Sequence, residues 1–147
     1  ADTIQISTEP RYLARDYLSV LKEKLVLRKE AVLLYPEQEM WFNYRKPRPP
    51  KGGAYFFAAK LNVPIISCFV EIVDTQEDDT PEFRQVKYVL HVLDVLYPDP
   101  VKSVRENTEM LSERDYALKK ECYESVYGKK LTYAFEDTDI AGWKEAL

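Results

Sequence analysis

Apolar positions recur at three and four residues from Tyr12 to about Lys29, where Leu13, Tyr17, Leu18, Leu21 and Leu25 share one face. Arg15, Lys22, Lys24 and Arg28 fall on the other, so the spacing predicts an amphipathic helix. Before it, Thr3-Ile4-Gln5-Ile6-Ser7 alternates and reads as a short strand. After it, Ala31-Val32-Leu33-Leu34-Tyr35 is a continuous apolar run stopped by Pro36, the pattern of a strand buried on both faces. A loop rich in Pro, Arg and Lys follows to Pro50. Lys51 to Leu61 is expected to be a helix and Val63 to Val73 a second buried strand. The acidic stretch from Asp74 reads as a turn. Phe83 to Leu96 partly alternates and is a third candidate strand, ended by Pro98 and Pro100.

Ser112-Glu113-Arg114-Asp115 resembles a capping box for a last long helix, with Gly128 placed as its C-terminal cap. Leu131 to Phe135 reads as a final strand. Strand, helix, strand, loop, helix, strand implies right-handed crossovers. The expected fold is therefore α/β, a mostly parallel sheet flanked by helices. No linker or repeat divides the chain, so residues 1–147 are expected to form a single domain.

Composition narrows the chemistry. With 46% hydrophobic residues and 147 positions, the chain can build a sizeable core. Four glycines and no G-x-G-x-x-G or P-loop string leave no nucleotide-phosphate cradle. Two cysteines, Cys68 and Cys122, stand far apart, which argues against a disulfide framework or a zinc site and for a reducing compartment. Cys68 lies in an apolar run and reads as inert core. A net charge of -4 gives no general drive toward nucleic acid, and no nucleic-acid partner is expected. No metal or cofactor is expected either. The apolar stretch from Gly52 to Val70 is interrupted by Asn62 and Pro64, too early for a membrane span.

Anion binding must then come from a local cluster, and one exists on the Pro-rich loop: Arg45, Lys46, Arg48 and Lys51. Glu37 precedes it at the end of the expected strand 31–35, where open α/β sheets bind ligands. Gly52 and Gly53 then open a helix whose free N–H groups also favour an anion. The plainer reading is a solvated basic loop with Glu37 as counter-ion. Trp41, Phe42 and Tyr44 on the same loop either pack back onto the sheet or seat the loop at a lipid interface.

Tyr35-Pro36-Glu37, Lys51-Gly52-Gly53 and Val63-Pro64-Ile65-Ile66 resemble, in order and spacing, motifs of the glycerophospholipid acyltransferases of the 1-acylglycerol-3-phosphate acyltransferase type. That family reads Phe-Pro-Glu-Gly-Thr-Arg at a strand end, a glycine-bearing helix start, and a Val-Pro-Ile/Val-x-Pro strand. Its motif Gly and Arg align here with Gln38 and Met40, and its second strand proline with Ser67. In the family the motif Glu and Arg hold the acceptor's phosphate. The resemblance therefore implies a substrate-binding set of Glu37, Arg45, Arg48, Lys51 and Gly52, with the loop arginines standing in for the missing one.

The family's catalytic His-x-x-x-x-Asp has no counterpart here. His91 is followed by Asp94, so its spacing differs, and it reads as a satisfied strand histidine. No catalytic residue is assigned within the chain. The opening Ala1-Asp2-Thr3 has no initiating Met and no signal-peptide character, and the chain is expected to be the C-terminal portion of a longer enzyme. The resemblance implies transfer of an acyl group from a CoA or acyl carrier protein donor to a glycerophosphate-type lipid acceptor. It also implies a cytoplasmic protein, peripheral at a membrane surface. The alternative is a non-catalytic anion- or lipid-binding module of the same fold.

Overall fold

The computed structural model of the protein describes Ile4, Glu9 and residues 11–146. Apart from Ile4, the strand expected at residues 3–7 lies outside them. The first helix, α1, runs over residues 12–27. It is π-helical at Tyr12–Tyr17 and Lys22–Leu27, around one α-helical turn at Leu18–Leu21. Its buried Tyr17 meets Phe57 edge-on at 5.2 Å between ring centroids, which seats it on the second helix, α2 (Gly53–Leu61). Asn62 closes α2 in the left-handed region at φ 52°, a conformation asparagine tolerates better than most residues.

The mostly parallel α/β sheet is not what forms. The described residues contain one sheet of two strands, β1 (Ile65–Asp78) and β2 (Arg84–Leu96), and they run antiparallel. The reason lies in the link between them. A parallel pair needs a crossover of a dozen or more residues, whereas a short link turns the chain back on itself. Here the turn is held by Thr80, whose amide donates to the Phe83 carbonyl at 3.0 Å and whose hydroxyl accepts from the Phe83 amide at 3.0 Å. β1 also outruns the expected strand, taking in the acidic residues up to Asp78 that read as a turn.

Residues 31–35 form no strand. Leu33 is 77% exposed and Tyr35 73%, so the apolar run is neither paired nor buried. The expected parallel neighbourhood of residues 31–35 and 63–73 is thereby overturned. The expected strand at 131–135 is likewise absent; that segment is irregular and leads into a 3-10 turn at Asp137–Asp139.

The long helix, α3 (Val104–Tyr127), begins earlier than its expected cap. Ser103 is the N-cap: its hydroxyl accepts from the Glu106 amide, and the Glu106 carboxylate accepts from the Ser103 amide at 2.8 Å. Ser112 to Asp115 lie inside the helix. Gly128, at φ 65°, ends it as expected.

Tyr55, Ala58 and Ala59 of α2, Leu111 of α3 and Leu96 of β2 make the core, with Ile65 and Leu118 packed against it. The hairpin lays Ser67 and Phe69 on its inner, buried side. Its register places Ile66 opposite Val95, Cys68 opposite Val92, and Val70 opposite Leu90 on the outer side. Ile66, Leu90 and Val92 are each at least 60% exposed there. Cys68 is only partly covered on this outer face, not in the core as expected. No helix among the described residues is long and apolar enough to cross a membrane.

Candidate functional site

The loop between α1 and α2 is drawn closed at its neck. The Lys51 amide donates to the Pro36 carbonyl at 2.8 Å, so residues 36–51 leave and return at one point, as in a compact Ω-loop. Gln38 takes a left-handed conformation, φ 57°, in the turn just beyond. This closure sets Pro36 and Glu37 beside Lys51, Gly52 and the N-terminus of α2. The first amides of a nine-residue helix are not used within it, and they carry the positive end of its dipole. Gly52 faces α3, where a Cβ would sit 3.7 Å from the Thr108 methyl, ordinary contact distance.

Glu37 is anchored from α3. Its carboxylate lies 3.4 Å from the Lys119 ammonium, which in turn lies 3.1 Å from Asp115. The Tyr55 hydroxyl of α2 donates to the same Asp115 oxygen at 2.5 Å. Burial, the hydrogen bond to Asp115 and its negative charge push the Tyr55 phenol far above the usual tyrosine range. Tyr55 therefore stays a neutral donor. Tyr55, Asp115 and Lys119 are buried, and the Glu37 side chain is 21% exposed. A chain of charge thus runs from the core to the surface and ends at Glu37. The Lys51 side chain is exposed and makes no ion pair among the described residues.

The remaining cations of the basic cluster go elsewhere. Arg45 turns to the hairpin, donating to Asp74 at 2.5 Å, to the Thr138 carbonyl at 2.6 Å and to the Ile72 carbonyl at 3.3 Å. Its donors are taken up in holding the fold. Lys46 is buried against Asp139 at 2.6 Å and also donates to the Ala134 carbonyl at 2.8 Å. Arg48 lies flat on the Trp41 ring, 3.4 Å from its centroid, and pairs with Glu39. Of the five expected binding residues, Glu37, Lys51 and Gly52 flank the backbone bond at the neck, with the Glu37 carboxylate turned to Lys119. Arg45 does not project toward Glu37, and Arg48 is engaged within its own loop.

Trp41 stacks on Tyr44 and Phe42 on Phe83, yet Trp41 is 53% exposed and Phe42 65%. Trp41 meets Tyr44 at a tilt with Arg48 over its face, Phe42 meets Phe83 edge-on, and both rings keep exposed surface. His91 is a satisfied strand residue, its Nε2 2.7 Å from the Glu71 carboxylate across the ladder. Among the described residues no group of three or more His, Cys, Asp or Glu side chains is arranged to hold a metal ion.

Tyr55, Asp115 and Lys119 were not among the expected site residues. A signal for two of them was present. Leu111, Asp115, Lys119 and Tyr123 recur every four residues along α3, one stripe of the helix, and all four are buried. Two opposite charges within an apolar stripe mark a specific partner. Two surface depressions among the described residues, one along α3 beside Glu109 and Glu113 and one beside Asn43 and Arg84, do not include the neck. Comparison of the chain with protein-family models, curated proteins and solved structures finds no match, so the neck is read from its own residues.

Proposed function

We propose that the chain is the acceptor-holding portion of a membrane-lipid acyltransferase. The complete enzyme moves an acyl group from a CoA or acyl carrier protein thioester to a hydroxyl of a glycerophosphate-type lipid. The observation that carries this reading is the closed neck. Pro36-Glu37 and Lys51-Gly52, separated in sequence by the whole loop, meet at the start of α2, and they are the segments whose order resembles the acyltransferase motifs. In this reading the Lys51 ammonium and the α2 N–H groups face the acceptor's phosphate. Glu37, a carboxylate that a phosphate would repel, accepts from a glycerol hydroxyl and orients the cations beside it. The general base is supplied from outside this chain, since His91 is committed to Glu71. Exposed Trp41 and Phe42, with Arg48 against Trp41, suit a peripheral seat on a membrane's cytoplasmic face.

The test uses the longest natural reading frame that contains the chain. With acyl-CoA or acyl carrier protein as donor, it should acylate 1-acylglycerol-3-phosphate. Glu37→Gln should lower kcat/KM for the acceptor about tenfold, the loss of one charge-assisted contact, and leave the donor KM unchanged. Binding of anionic vesicles without any transfer would replace this reading with the non-catalytic lipid-binding module.

A further inference from the structure

We infer that Lys119 of α3 is a positioning residue for Glu37, holding its carboxylate at the loop neck in the geometry that the acceptor requires. The inference rests on the acyltransferase reading and extends it to a residue that no motif singles out. Lys119 lies far along the chain from the loop it would control.

Glu37 sits in a turn on a long loop without regular structure, and the neck bond from Lys51 to Pro36 holds the adjoining backbone but not its side chain. Among the described residues its carboxylate pairs with Lys119 alone, at 3.4 Å. Lys119 is itself held on a rigid helix by Asp115 one turn earlier, at 3.1 Å. Asp115 is fixed in turn by the 2.5 Å bond from Tyr55. Tyr55 belongs to α2, the helix whose N-terminus forms the other wall of the neck. The four residues therefore tie the 36–51 loop to both helices through one connected chain of polar contacts.

A purely structural ion pair would be satisfied by Asp115 and Lys119 alone, one turn apart on the same helix. Reaching on to a partly exposed carboxylate adds little stability, because such contacts are screened by water. What it adds is placement. A ligand-facing group on a loop is held productively when its rotamer is locked by partners on rigid elements. The separation between side-chain positions matters steeply, since a misplacement near 1 Å costs about a hundredfold in rate.

The experiment compares Lys119→Met, Lys119→Arg and Tyr55→Phe in the longest natural reading frame, each assayed below its own melting temperature. Methionine keeps the length and removes the charge, so the KM for 1-acylglycerol-3-phosphate should rise about tenfold or more while the donor KM stays unchanged. Arginine, which can reach both carboxylates, should restore the acceptor KM to within about threefold of the parent. Tyr55→Phe loosens the chain one step back and should raise the acceptor KM about threefold, which keeps the test decisive if Lys119→Met does not fold. An unchanged acceptor KM in Lys119→Met and Tyr55→Phe, beside an active parent, would overturn the inference alone. A parent protein that transfers no acyl group would overturn the functional reading, and the inference with it.

Discussion

Asp139→Ala lowers the stability of the chain by about 3–5 kcal/mol, read as a fall in the urea midpoint at unchanged slope. Asp139 has no exposed surface, and its partner Lys46 is only 4% exposed. Their contact at 2.6 Å, across 93 positions of sequence, ties the loop before α2 to the C-terminal segment. Asp139 also accepts from the Glu136 amide at 2.9 Å and stands 3.5 Å from Lys129. Removing the carboxylate leaves the Lys46 ammonium buried, with the Ala134 carbonyl as its remaining partner. The cost is that of an uncompensated buried charge, not of the pair itself. For that reason Lys46→Met/Asp139→Leu together should recover much of the loss, because two apolar side chains of similar volume leave nothing unpaired. A double variant as unstable as Asp139→Ala would show that the pair is worth more than its desolvation.

Gly142→Ala is the second large effect. Gly142 sits at φ 75°, where a side chain is strained, and its Cβ would lie 2.6 Å from the Arg84 carbonyl oxygen. That neighbour is backbone at the start of β2 and cannot swing aside. The same glycine accepts from the Arg84 amide at 2.7 Å and donates to Asp74 at 2.6 Å. Backbone must therefore shift, and the C-terminal segment detaches from the hairpin. The left-handed conformation alone costs roughly 1–2 kcal/mol for a non-glycine residue, and overpacking adds roughly 1–3 kcal/mol. Thermal unfolding should show a loss of about 2–5 kcal/mol in total. Gly53→Ala is the control, since an added Cβ there meets nothing within 4 Å, and its stability should hold or rise slightly.

Both effects involve the C-terminal segment, and neither was legible in the sequence. A pattern of hydrophobic positions reports local periodicity, and it reported α2, the two strands and the glycine end of α3. It misplaced the start of α3 because two Ser-x-x-acid strings precede or lie within the helix. Ser103-Val104-Arg105-Glu106, directly after Pro100, was the working one. Residues 31–35 were misread for a different reason. An apolar run reads the same whether it is buried or bare, and a strand covered on both faces needs neighbours. The two strands that form pair only with each other. Right-handed crossover logic then had no parallel pair to act on.

The site was legible in part. A single backbone bond, Lys51 to Pro36, draws the two ends of the loop together, whereas the expected placement of Glu37 rested on a strand at 31–35 that does not form. Arg45 and Lys46 could not be placed from composition. Their partners Asp74, Thr138 and Asp139 lie far along the chain, and only the tertiary fold decides that these cations are consumed internally.

The most direct test of the account is the acceptor's phosphate. In the longest natural reading frame, kcat/KM for 1-acylglycerol-3-phosphate should exceed that for 1-acylglycerol about a hundredfold or more, because a site built for a charged group rejects an analogue lacking it. Lys51→Ala should shrink that ratio about tenfold by removing an exposed cation at the neck. Equal rates for the two acceptors, or a ratio that Lys51→Ala leaves untouched, would contradict the assignment of the neck as the place where the acceptor is held.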